Sequence, residues 1–140
     1  MSNSRYELWA EGIGKSFGTT LVLKAASLWA ESGKVTTLMG RNGSGKTTLM
    51  RIAAGDLRPD HGVISCFGDA RERQSLPRLA RQGLMYLPQS QLMAPSYTVR
   101  AHFEALGAVF GSQWVAQAID LVDVGHLMEQ RGGSLSGGER

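Results

Sequence analysis

With 140 residues, 42% of them hydrophobic and 19% charged, the chain is long enough for one domain with its own core, and the composition excludes disorder. A net charge of +3 is too modest to name a nucleic-acid partner, and none is expected. No apolar run approaches the roughly 20 residues of a membrane-spanning helix, the N-terminus is polar with no signal-peptide core, and a single cysteine excludes a disulfide within the chain.

Tyr6 to Ala10 and Leu21 to Ala30 predict strands, separated by a glycine-rich turn over Gly12 to Gly18. Gly14-Lys15-Ser16 imitates the end of a phosphate loop, but the first glycine of that pattern would fall on Trp9. Phe17, on the same turn, is either a stacking platform for a purine or a core aromatic, and its spacing does not separate the two. Val35 to Met39 predicts a short strand.

That strand leads into Gly40-Arg41-Asn42-Gly43-Ser44-Gly45-Lys46-Thr47-Thr48, which fits G-x-x-x-x-G-K-[ST] without a mismatch. Glycines at positions 40, 43 and 45 let the backbone curl and point N–H groups at an anion. The helix predicted over Thr47 to Ala54, with Gly55 as its cap, adds the positive end of its dipole. In that frame Lys46 reaches the β- and γ-phosphates of a nucleotide and the Thr47 hydroxyl holds Mg²⁺. A solvated glycine-rich turn is the bland alternative, and the strand and helix flanks weigh against it.

Residues 57 to 62, Leu-Arg-Pro-Asp-His-Gly, are turn chemistry. Val63 to Phe67 predicts a strand holding a buried Cys66, closed by Gly68-Asp69. The arginines of the stretch Arg71 to Arg81 read as a solvated surface, and Gln74 to Gln82 as a weak helix with Pro77 near its first turn. Leu84 to Leu87 predicts a buried strand, which places Gln89 just past its C-terminal end. α/β sheets put ligand contacts there, although a loop amide facing water is the plainer reading. Pro95 to Thr98 breaks the chain, with Ser96 or Thr98 able to cap a helix. Val99, Phe103, Leu106 and Phe110 then share one helical face, and Trp114, Ala118, Leu121 and Val122 another after Gly111-Ser112. His102 and His126 have no metal-ligand companions and read as surface or half-buried residues. Met85, Met93 and Met128 read as core filling. In the tail, Leu135-Ser136-Gly137-Gly138-Glu139, Ser136 can cap a second anion-binding helix start with the two glycines leaving N–H groups open.

Taken in order, these stretches resemble the ATP-binding domain of ATP-binding-cassette (ABC) transporters. Lys15 to Gly18 resembles the adenine-stacking loop, Gly40 to Thr48 the Walker A loop, Leu87-Pro88-Gln89 the glutamine loop, and Leu135 to Glu139 the signature L-S-G-G-E. The resemblance implies an α/β fold: a P-loop NTPase core of the ABC type with an N-terminal antiparallel β-subdomain and a helical subdomain. The expected division is a β-subdomain and Walker A core over residues 1–94 and a helical subdomain over 95–140. It also implies ATP and Mg²⁺ as ligands, with Gln89 and Thr47 on the metal. Two such domains would face head to tail, each ATP clamped between one Walker A loop and the other's signature. A membrane-spanning partner, with this subunit on the cytoplasmic face, would turn ATP hydrolysis into transport.

The family's strand ending in Asp-Glu is not found. Asp120 and Asp123 lie in a helical pattern. The expectation is therefore a family member cut short after the signature, with its C-terminal core strands missing and unable to turn over ATP alone. An ATP switch acting on ribosomes or DNA, and a remnant that binds nothing, are the competing readings. Chromosome-type members are disfavoured because no sustained heptads separate the motifs.

Overall fold

A computed structural model of the chain describes residues 6–88 and 93–138. They form two compact units, 1–86 and 87–140. The first unit carries strands β1 (Tyr6–Phe17), β2 (Thr20–Glu31), β3 (His61–Cys66) and β4 (Asp69–Arg71), and helices α1 (Lys46–Ala53) and α2 (Leu76–Arg81). The strands make one antiparallel sheet in the order β2-β1-β3-β4.

The glycine-rich stretch expected as a turn is strand as far as Phe17 and turns only at Gly18-Thr19. Register shifts against β2 fall between Ala10 and Ile13, Ile13 and Lys15, and Lys15 and Ser16. Glycine inside a strand marks a bulge as readily as a break, and here the bulges absorb it. At Gly14 a Cβ would lie 1.8 Å from the His61 ring, so that ring, opposite Gly14 on β3, occupies the space a side chain would take.

The core forms where α1 lies on the sheet. Leu49, Ile52 and Ala53, spaced i, i+3 and i+4 along α1, meet Ala10, Ile13, Leu23, Leu28 and Ile64. The helix ends as its glycine predicts. Gly55 N–H donates to Ile52 O and Asp56 N–H to Arg51 O, the paired bonds of a Schellman motif. Arg51 then donates to the Asp56 carboxylate at 2.7 Å. Cys66 is buried as expected, and burial pushes its thiol up. Pro77 sits in the first turn of α2, whose Leu79 is buried. In the arginine-rich stretch, Arg71 and Arg78 pair with Asp69 near the surface.

Two expected strands do not form. Val35 to Met39 is irregular, with Val35 96% and Met39 86% exposed, and only Leu38 packs on the core. Leu84 to Leu87 is irregular too, and Met85 and Leu87 are exposed, so Met85 fills no core. A strand exists through its ladder partners. Among the described residues all strand ladders belong to the antiparallel sheet, and neither run lies on its edge.

The second unit holds α3 (Val99–Phe110) and α4 (Ser112–Leu121), followed by short 3₁₀ turns at Gly125–Leu127 and Gly132–Ser134. The Thr98 hydroxyl accepts from Ala101 N–H and caps α3, as its sequence position predicts. A small core of Val99, Leu127 and Leu135 gathers Met93, Phe103, Val124 and Met128 around it. Both helices form, but the apolar faces read from their spacing are only partly used. Leu106, Phe110, Trp114, Leu121 and Val122 are exposed. His102 is half-buried, accepting from Ala94 N–H at Nε2, while His126 is exposed. No helix among the described residues is long and apolar enough to cross a membrane.

Candidate nucleotide-binding site

The loop from Gly40 to Thr48 enters α1 at Lys46. Lys46 folds its ammonium back onto the loop and donates to Gly40 O at 2.7 Å and Arg41 O at 2.8 Å. An ammonium has three N–H donors, so two shape the loop and one remains for an anion. Ser44 N–H donates to Arg41 O and tightens the same turn. Its hydroxyl lies close to where a Cβ on Gly40 would stand, at 2.9 Å. No acidic side chain occupies the first turn of α1 and no side chain caps it. The leading N–H groups of the helix and its positive dipole end are therefore met by no carboxylate of its own first turn. Arg41, Asn42, Gly43, Ser44 and Thr47 are exposed, and Gly45, Lys46 and Thr48 half-buried.

Strand β2 braces this loop from below. Gly45, the residue before α1, has φ +85°. A Cβ there would lie 2.7 Å from Leu23 Cδ2 and 3.2 Å from Val22 O. The left-handed backbone conformation favours glycine, and a side chain would in addition press on β2. Leu23 pairs across the hairpin with Lys15, which ties the loop to the last residues of β1.

Phe17 ends β1 and is 48% exposed, with Lys15 Nζ 5.5 Å from the centre of its ring. The segment after α1 returns to this place. Asp60 accepts from Lys15 Nζ at 2.8 Å and from Ser16 N–H at 2.7 Å, and donates its own N–H to Gly14 O. The Lys15 ammonium first, and the Ser16 N–H second, hold the Asp60 carboxyl below its ordinary range. Sequence reasoning took Asp60 for turn chemistry only. A partner 45 positions away leaves no local signal.

Of the remaining predicted residues, Gln89 and Glu139 lie outside the described ones. Leu135 is buried in the small core of the second unit, and Ser136, Gly137 and Gly138 follow it exposed. Among the described residues no three His, Cys, Asp or Glu side chains gather into a metal-holding group. Thr47, at the start of α1, is exposed, as is Ser44 before it, while Thr48 is half-buried.

A glycine-rich loop that delivers a lysine to the first turn of a helix is the build of phosphate-loop nucleotide-binding proteins. Residues 23–140 match the family model described as ABC transporter, and the chain belongs to that family. It is 36% identical to the lipopolysaccharide export system ATP-binding protein LptB of Acidithiobacillus ferridurans, over 95% of this chain and 58% of that one. It is 32% identical to the Nod factor export ATP-binding protein I of Rhizobium sp. (strain N33), over 91% of this chain and 43% of the relative. Over 80% of its length it is 34% identical to the molybdenum import ATP-binding protein ModC of Rhizobium meliloti (strain 1021), spanning 33% of that protein. The chain thus spans about a third to three fifths of these curated relatives. Among solved structures, a nucleotide-free ATP-binding cassette from an ABC transporter superposes with TM-score 0.74 at 25% identity, covering 96% of this chain and 60% of that one. The ADP conformation of an ATP-binding cassette of an ABC transporter gives 0.68 at 25% identity, covering 96% of this chain and 60% of that one. The fold is the α/β fold of the ABC cassette.

Proposed function

We propose that this chain is the ATP-binding subunit of an ABC transporter and binds MgATP at the loop Gly40 to Thr48. The observation that carries this is Lys46, held by two loop carbonyls at the N-terminus of a helix whose first turn has no acidic residue. In this reading Lys46 contacts the β- and γ-phosphates, the backbone of residues 40–48 cradles them, and Thr47 holds Mg²⁺ with Gln89. Phe17 stacks on the adenine. Leu135, Ser136, Gly137, Gly138 and Glu139 serve the nucleotide of a second, facing cassette. Hydrolysis then drives a membrane-spanning subunit on whose cytoplasmic face the cassette sits. The names of the relatives, importers and exporters alike, support transport over a ribosome- or DNA-acting switch. They do not select a substrate.

The test is calorimetric titration of the chain with MgATP. Lys46→Ala should weaken binding about tenfold or more, since it removes a charge-assisted donor to the phosphates. Arg41→Ala, an exposed cation of the same loop, should cost much less. Unchanged affinity in Lys46→Ala refutes the assignment. These 140 residues by themselves are expected to bind without steady-state turnover, because the sequence carries no apolar strand ending in an acidic pair to orient an attacking water. Lys46-dependent phosphate release at about 1 s⁻¹ or faster contradicts that expectation.

A further inference from the structure

Three consecutive residues at the end of β1 are tied to one residue 44 to 46 positions away. Gly14 O accepts the Asp60 N–H at 2.9 Å, Lys15 Nζ donates to Asp60 Oδ1 at 2.8 Å, and Ser16 N–H donates to Asp60 Oδ2 at 2.7 Å. The next residue is Phe17. The Lys15 ammonium that Asp60 holds lies 5.5 Å from the centre of the Phe17 ring, within cation–π reach. That lysine is well covered, its side chain only 15% exposed, whereas a lysine at a strand end ordinarily swings in water. On the other side, Asp60 is joined to α1 by the six residues Ala54 to Pro59, which include Gly55 and its Schellman motif. One carboxylate therefore links the helix that carries the phosphate loop to the backbone that carries the exposed aromatic ring.

We propose that Asp60 is a positioning residue for the base platform: it clamps Gly14, Lys15 and Ser16 so that the Phe17 ring is fixed in register with the phosphate loop. The inference rests on the reading of Phe17 as the base-stacking residue given above. Asp60 touches no part of the nucleotide. Its two oxygens fix the backbone N–H before Phe17 and the cation beside the ring. Loss of the carboxylate contacts leaves Lys15 and Ser16 without their tie to Asp60, the backbone bond at Gly14 alone remaining, and the ring then samples orientations that do not stack. The effect must show on the base and not on the phosphates.

The experiment compares two probes on the full chain, MgATP and magnesium tripolyphosphate, which has the phosphates without the base. Phe17→Ala should weaken ATP about 5- to 100-fold and leave tripolyphosphate unchanged. Asp60→Asn, nearly isosteric, should weaken ATP about 3- to 10-fold, leave tripolyphosphate unchanged, and add nothing in the Phe17→Ala background. Should Asp60→Asn fail to fold by circular dichroism, Lys15→Gln carries the same test with a smaller expected loss. If Phe17→Ala weakens ATP and the clamp variants do not, the inference fails while the stacking reading stands. If the clamp variants weaken tripolyphosphate as much as ATP, Asp60 is merely structural and the inference is overturned. If Phe17→Ala leaves ATP binding intact, the stacking reading falls and the inference with it.

Discussion

Replacing Gly45 by alanine separates two costs that the structure places on one residue. The first is conformational. At φ +85° a Cβ crowds its own backbone, which costs about 1–2 kcal/mol. The second is the strand beneath. The new methyl would stand 2.7 Å from Leu23 Cδ2 and 3.2 Å from the Val22 carbonyl, and overpacking of this kind costs about 1–3 kcal/mol. Gly43 is the internal control, with φ +80° and no atom within 4 Å of where its methyl would stand. Gly43→Ala should therefore lose only the conformational part, about 1–2 kcal/mol, and Gly45→Ala roughly 2–5 kcal/mol in all. Urea denaturation of the parent and the two variants measures the difference. The larger loss is a substantial share of the roughly 5–15 kcal/mol that holds a domain together. A cycle with Leu23→Ala assigns the excess: removing Cδ2 should make Gly45→Ala less damaging than it is in the parent. Gly45→Ala no less stable than Gly43→Ala would refute the idea that β2 presses on the loop.

Two further expectations concern stability. Thr98→Ala removes the acceptor for Ala101 N–H and should cost about 1 kcal/mol in a urea melt, while Thr98→Ser should cost little; equal losses would mean the cap contributes nothing. Asp60 and Asp69 titrate below their ordinary value of 3.8, Asp60 through Lys15 and the Ser16 N–H, Asp69 through Arg71 and Arg78. A carboxyl whose folded-state value is depressed stabilises the fold fully above its unfolded value, and that contribution is lost as pH falls through the folded value. The stability gap between the parent and Asp60→Asn or Asp69→Asn should hold steady above about pH 5 and close below the ordinary carboxylate range. Both pairs meet solvent, so the gaps are small. A gap that widens on acidification would contradict the sign.

What the sequence showed well was local. The phosphate loop, the helix after it and the Gly55 cap need only neighbours within a few positions, and the structure builds all three from residues 40 to 56. Thr98 as the cap of α3 is local in the same sense. What misled was apolarity without a partner. Val35 to Met39 and Leu84 to Leu87 have the residues of buried strands, but a hydrophobic run states a demand for burial and not what meets it. Glycines misled as well: Gly12 and Gly14 bend β1 through bulges instead of ending it, and Gly14 admits the His61 ring. The apolar spacing of α3 and α4 located the helices correctly and overstated their burial, since periodicity gives a face and not its neighbour.

The site itself divides along the same line. Lys46 and the loop glycines announce themselves because a phosphate cradle is one continuous segment. The proposed base platform draws on segments remote in sequence, residues 14–17 and Asp60. Phe17 alone gives two equal readings, core aromatic or stacking ring; its 48% exposure beside Lys15 keeps it out of the described core, and the stacking role is what the nucleotide titrations test. Asp60 in turn is ordinary within Pro59-Asp60-His61-Gly62, where an aspartate suits any turn. Its role arises because β3, leaving that turn, pairs antiparallel with β1 and brings His61 opposite Gly14. The pairing register makes the clamp, and that register is set by the burial of Ala10, Ile13 and Ile64 against α1. The contacts that join Asp60 to Gly14, Lys15 and Ser16 therefore depend on core packing that neither the phosphate loop nor the turn reveals in sequence.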